Sequence, residues 1–258
     1  MRSSTIVLMI GFLFLLLPLR QIGHCEGSMN DVIENIKKIE SGEIRCNKQS
    51  ANYFGYVKGT IPILISAPHG AKHYRTLQHR WKAEDAYTSS LAKELGSLTG
   101  AYVIYLKNKA GEDPNNDIRT RYKDFLRKIV AENGIKFVID LHGAGWDEPF
   151  KVDVGTLGDD PGTCSCPTYR TIIQQAFLGF DDHIFNKKFR AEGCATITSF
   201  ARNDLGIEAA QVEINARYRI IQSKLDPLIK ANEEDVLDLF GRLQRVILDV
   251  NATMAKGS

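Results

Sequence analysis

The chain has 258 residues, with 33 lysines and arginines against 31 aspartates and glutamates, so its formal net charge is +2. Charges this evenly balanced and interspersed give no reason to expect nucleic-acid binding. With 43% hydrophobic and 25% charged residues, the composition is that of a globular protein of one domain with a substantial core.

The N-terminus stands apart. "MRSS" is followed by the apolar run "TIVLMIGFLFLLLPL" and then by the polar, small-residue stretch "RQIGHCEGS". This is the layout of a secretory signal peptide over residues 1–25, with cleavage after Cys25 or Gly27. The run is short for a membrane span, which needs roughly 20 residues. The expectation is therefore a secreted or extracytoplasmic protein with no stable membrane span after cleavage, favoured over anchoring by an uncleaved signal or a lipid, with a single α/β domain covering residues 30–252.

The first expected helix is "NDVIENIKKIESGE", with Asn30 as its cap and Gly42 after its end. Two short β-like pieces follow around Cys46 and "YFGYV". The interval 60–68, "TIPILISAP", is a strand too apolar to leave one face in water. Residues 82–100 are helical, with Tyr87, Leu91, Leu95 and Leu98 on one stripe. "AYVIYL" (101–106) is a strand and 108–117 a loop rich in turn residues. A helix covers 118–134, closed by Gly134, and "IKFVIDLHG" (135–143) is another buried strand. "FKVDVGTLG" alternates like a strand, "DDPGTCSCP" is a loop and "TYRTIIQQAFLGF" is helical. "AAQVEINARYR" (209–219) is a strand running into a turn, and 231–250 is a long closing helix. Strands alternating with helices predict an α/β layered fold with a mainly parallel or mixed sheet.

Five cysteines are present: Cys25, Cys46, Cys164, Cys166 and Cys194. Without Cys25, four remain, and an oxidising compartment would permit two disulfides. Cys164 and Cys166 are too close to pair comfortably with each other, which makes Cys46 and Cys194 the expected partners in a pairing that cannot be deduced. The spacings match no structural zinc pattern. "NAT" at 251–253 is a glycosylation sequon, meaningful only in a eukaryote.

Three central strands end on polar side chains. "ILISAPHG", "KFVIDLHG" and "AAQVEIN" carry His69, His142 and Glu213 near their carboxyl ends, where ligands gather in open α/β sheets. Gly70 and Gly143 follow the histidines and permit close approach of another group. Taken singly, each histidine could be a hydrogen-bonded core residue, and Glu213 an ion-pair partner of Arg217 or Arg219. Asp140 lies two residues before His142 on the same strand face, able to orient that imidazole or to serve only as a hydrogen-bonded acid. A catalytic zinc usually takes three protein ligands. "KAEDAY" offers Glu84 and Asp85 as the third, though acids in a first helical turn also favour the helix dipole. His73, His79 and His183 are read as surface residues.

"SAPHGA", "AEDAYT", "FVIDLHGA" and "QVEINARYR", in this order and spacing across residues 60–220, resemble the N-formylglutamate amidohydrolase-like family, relatives of the zinc carboxypeptidases. The resemblance implies a three-layer α/β sandwich, with helices on both faces of a mixed, mostly parallel central sheet. It implies one zinc ion per chain, held by His69, Asp85 and His142, with Glu84 as the alternative to Asp85. Glu213 stands where the relatives keep their general base. The carboxypeptidases place a glutamate three residues after the first histidine, where this chain has Lys72. The family's asparagine–arginine pair is only loosely echoed in "NNDIRTR".

The expected chemistry is zinc-dependent cleavage of an amide bond in an N-acyl amino acid, a peptide or a related small amide. Zinc lowers the pKa of bound water toward ~7 and polarises a carbonyl, and Glu213 would pass a proton to the leaving amine. Arg119, Arg121, Asn215 and Arg217 are the candidates for holding substrate. The alternatives are a carboxypeptidase-type zinc peptidase, which Lys72 disfavours, and a non-catalytic secreted binding module that retains the fold.

Overall fold

The computed structural model describes residues 29–181, 184–223 and 230–256; the expected leader and His183 lie outside them. The chain opens with α1 (Met29–Gly42), β1 (Arg45–Gln49), β2 (Phe54–Val57) and β3 (Ile61–Ala67). A small hairpin follows, β4 (His73–Arg75) and β5 (Arg80–Lys82), before α2 (Thr88–Thr99). Next come β6 (Ala101–Leu106), β7 (Asn108–Lys109), α3 (Arg121–Asn133), β8 (Phe137–Ala144) and β9 (Val152–Gly155). The last elements are α4 (Arg170–Phe177), α5 (Ile197–Asp204), β10 (Glu208–Asn215) and α6 (Glu233–Lys256), with a 3-10 turn at Ala216–Tyr218.

Six strands form the central sheet in the order β2-β6-β3-β8-β10-β9. The inner four are parallel, and β2 and β9 close the edges antiparallel. The side-chain alternation of a strand divides the core in two. Ile63 and Ile65 face α1, α2, α4 and α6 through Ile36, Leu91, Leu95, Ile173 and Leu239. Leu64 faces the other way, toward Tyr122, Leu126 and Ile129 of α3 and Phe200 of α5. Helices on both faces of a mixed, mostly parallel sheet make the three-layer sandwich, as expected.

Local details depart from the sequence reading. The chain at 82–100 begins as strand, and its helix starts only at Thr88, after Tyr87 adopts a left-handed φ of 71°. Leu98 leaves the expected stripe and is 47% exposed. The expected pairing of Cys46 or Cys194 with Cys164 or Cys166 is absent among the described residues: Cys164 and Cys166 are buried free thiols, Cys194 is an exposed one, and Cys46 is buried in the core. The sulfurs of Cys164 and Cys166 lie 4.0 Å apart, well beyond a disulfide bond of about 2.05 Å. No helix among the described residues is long and apolar enough to cross a membrane.

Candidate metal centre

The adjacent parallel strands β3, β8 and β10 open at their carboxyl ends into a cavity of about 400 Å3. His142 and Glu213 sit opposite each other in register on β8 and β10. His69 lies two residues beyond β3, where the chain turns. Gly70 follows because nothing larger fits: a Cβ there would fall 1.7 Å from the Ser89 hydroxyl. The Asp85 backbone N–H donates to the His69 carbonyl at 2.8 Å, and the left-handed turn at Tyr87 sends the chain on into α2. These constraints place Asp85, and not Glu84, beside the histidines.

Each imidazole is tethered by one nitrogen and points the other inward. His69 Nε2 is 2.7 Å from Asp113 Oδ1, and His142 Nε2 is 2.7 Å from Asp140 Oδ2. Asp113 is held as a carboxylate by its neighbours and accepts, so the neutral His69 ring carries its proton on Nε2 and its lone pair on Nδ1, the form in which it can ligate a metal. Pairing with Asp140 gives His142 the same tautomer. The two Nδ1 atoms are 3.2 Å apart and lie 3.4 Å and 3.6 Å from Asp85 Oδ2. The Gly143 N–H also donates to that oxygen at 3.0 Å. Three electron-pair donors therefore face one another in a buried place, an arrangement that calls for a cation among them. Two imidazoles and a carboxylate are a fitting donor set for zinc.

The electrostatics agree with that demand. Burial opposes charge on His69 and His142, yet Asp113 and Asp140 outweigh it and raise both above the ordinary histidine range. Burial likewise opposes charge on Asp85, but the adjoining rings of His142 and His69 hold its carboxyl well below the usual range. Burial pushes Glu213 up to about 7, with His142 pulling down and Asp85 pushing further up. Glu213 accepts from Gln211 Nε2 at 3.0 Å, and both line the cavity.

No family model matches the chain, and no curated protein matches it. Among solved structures, N-formylglutamate amidohydrolase from Ralstonia eutropha superposes with a TM-score of 0.54 at 12% identity, covering 80% of this chain and 99% of that one. The fold is that of an N-formylglutamate amidohydrolase. A gene product of Agrobacterium tumefaciens shares it, with a TM-score of 0.51 at 12% identity over 79% of this chain and 96% of that one. A bacteriophage poly-gamma-glutamate hydrolase aligns with a TM-score of 0.48 at 15% identity over 82% and 94%.

The residues expected to hold substrate are scattered. Arg119 and Arg121 are exposed and line no part of the cavity; Arg121 donates to the Ala51 carbonyl at 2.9 Å instead. Asn215 is buried and donates to the carbonyls of Glu148 and Phe150. Arg217 donates to the Trp146 carbonyl, and with Asn215 it lines a neighbouring cavity. The cations on the wall of the His69 cavity are Arg75 and Lys82, accompanied by Asn115 and Asn116. His79 is exposed, but His73 is not the surface residue expected: it is buried, with its ring stacked on that of His69 at 4.0 Å between centroids. Burial, and then the neighbouring His69, push its pKa down to about 3. Asp113 was hidden in the loop read as solvated, although it gathers His69 Nε2, Arg75 Nε and the Asn115 N–H.

Proposed function

We propose that the chain is a zinc-dependent hydrolase of amide bonds, with His69, Asp85 and His142 holding the metal and Glu213 acting as general base. The observation that carries this reading is the convergence of two Nδ1 lone pairs and a carboxylate oxygen, with both Nε2 atoms tied back to buried acids. A zinc ion bound there would supply Lewis acidity and lower the pKa of water. Glu213, facing the same cavity and steadied by Gln211, takes a proton from the attacking water and delivers it to the leaving amine. Arg75 and Lys82 suit a substrate with an anionic substituent, such as an N-acyl amino acid or the end of a peptide. The apolar leader supports export, and with it an extracytoplasmic substrate.

The test begins with metal analysis of the purified protein beside His142→Ala, followed by a panel of N-acyl amino acids and peptides with Glu213→Gln as the inactive control. About one zinc per chain, lost in His142→Ala, is expected. Glu213→Gln should keep the metal while turnover falls by about 100-fold or more. Absence of bound zinc under zinc-replete conditions, or a Glu213→Gln variant as active as its parent, overturns the proposal. Release of C-terminal residues alone would identify a carboxypeptidase instead.

A further inference from the structure

Arg219 has no place in the chemistry above, yet its guanidinium is buried directly behind it. Only 5% of the residue is exposed. Its Nη1 donates to the Ala86 carbonyl at 2.6 Å, its Nη2 to the Ala144 carbonyl at 3.0 Å and its Nε to the Ile214 carbonyl at 3.0 Å. Ala86 follows Asp85, Ala144 stands two residues after His142, and Ile214 follows Glu213. One side chain therefore binds the three chain segments that carry a metal donor, a second metal donor and the general base. These segments meet where backbone pairing is incomplete, since Ala86 belongs to a turn outside the sheet.

Gly143 is shaped to this guanidinium. A Cβ at Gly143 would lie 2.4 Å from Arg219 Cζ and Nη2, so the glycine after His142 makes room for the arginine and leaves its own N–H free to reach Asp85 Oδ2. Burying a cation without a carboxylate in hydrogen-bonding contact is expensive, and a fold needs no such device merely to close a strand. The planar fork of a guanidinium, with five donors in fixed directions, can reach three carbonyls at once, which a lysine ammonium cannot.

We infer that Arg219 is a positioning residue that, seated against Gly143, locks the Asp85 turn in register with β8 and β10 and so presets the distances among the metal donors. The inference rests on the zinc-hydrolase reading and is separable from it by experiment. Zinc dissociation constants are measured by competition titration for the full chain, Arg219→Lys, Gly143→Ala and the control Leu243→Ala. Leu243 is a fully buried core residue of α6, none of whose residues lines the cavity. Arg219→Lys keeps the charge and loses the fork; Gly143→Ala keeps the fork and displaces it.

The expected result is about tenfold or greater weakening of zinc binding in both site variants. Leu243→Ala should lose thermal stability and keep the parental zinc affinity. If Arg219→Lys fails to fold, Gly143→Ala decides. Parental zinc affinity in the folded site variants overturns the lock, as does an equal loss of affinity in Leu243→Ala. A parent chain that binds no zinc overturns the functional reading itself.

Discussion

Asp113 shares its carboxylate among His69 Nε2, Arg75 Nε and the Asn115 amide, so the tautomer of His69 depends on a residue that never faces the cavity. Asp113→Asn can offer an amide N–H where an acceptor is needed, which would draw the His69 proton toward Nδ1. Zinc affinity should fall by about 10–100-fold while the circular dichroism spectrum stays that of the parent; an unchanged affinity would show that Asp113 does not set the tautomer. At this scale the sequence was informative where a side chain ends an apolar strand. His69, His142 and Glu213 stand out because each is a polar side chain near the carboxyl end of a mainly apolar strand, and Asp140 because strand alternation puts it on the face of His142. Asp113, His73 and Arg219 give no such signal. Each is buried by distant chain coming to rest on it, and a loop spelled "GEDPNND" reads locally as solvated turn.

The elements show the same division between local pattern and tertiary placement. In α2 the 3.6-residue period identifies Leu91 and Leu95, both fully buried, but it also enrols Leu98, which is 47% exposed near the helix end. Leu95→Ala should therefore cost about 2–5 kcal/mol in denaturant unfolding, and Leu98→Ala about 0.5 kcal/mol or less. Equal losses would contradict this placement. The start of α2 was misread because Glu84 and Asp85 look like first-turn acids, whereas they belong to the turn that brings Asp85 to the histidines. Beyond α4, Asp181 receives Lys187 Nζ at 2.7 Å and the Lys151 N–H at 3.1 Å. Burial would raise its carboxyl, but these partners hold it below the usual range. A carboxyl depressed in the folded state stabilises above its unfolded pKa of about 3.9 and loses that contribution as pH falls through its folded value. The stability gap between the parent and Asp181→Asn should be steady from about pH 7 to 5 and shrink below about pH 4; a gap that widens on acidification would refute the assignment.

For the molecule as a whole, alternating strands and helices were enough to foresee the layered sandwich, because each helix must bury its stripe on a sheet face. Strand order was not legible: β10 pairs with β8 only after β9, α4 and α5 have intervened, and its position is set by packing. The donors at 69, 85 and 142 come from separate stretches, so the unfolded chain holds no preformed site. Zinc at about 100 times its dissociation constant should stabilise the folded protein by about 2.7 kcal/mol, or about 5–10 °C in Tm for a chain of this size. A chelator should reverse the shift, and His142→Ala should not show it; a shift retained in that variant would place the metal elsewhere. The hairpin of β4 and β5 lies outside the six-stranded sheet and touches neighbouring chain through the bridge from His73 to Ala110. Its far strand ends on Lys82 at the cavity wall, while its near strand anchors His73 and Arg75 around Asp113. The span from 76 to 82 thus sets the charge at the cavity wall from outside the sheet that carries His142 and Glu213, so changing Lys82 alone alters what the cavity attracts without touching those strands.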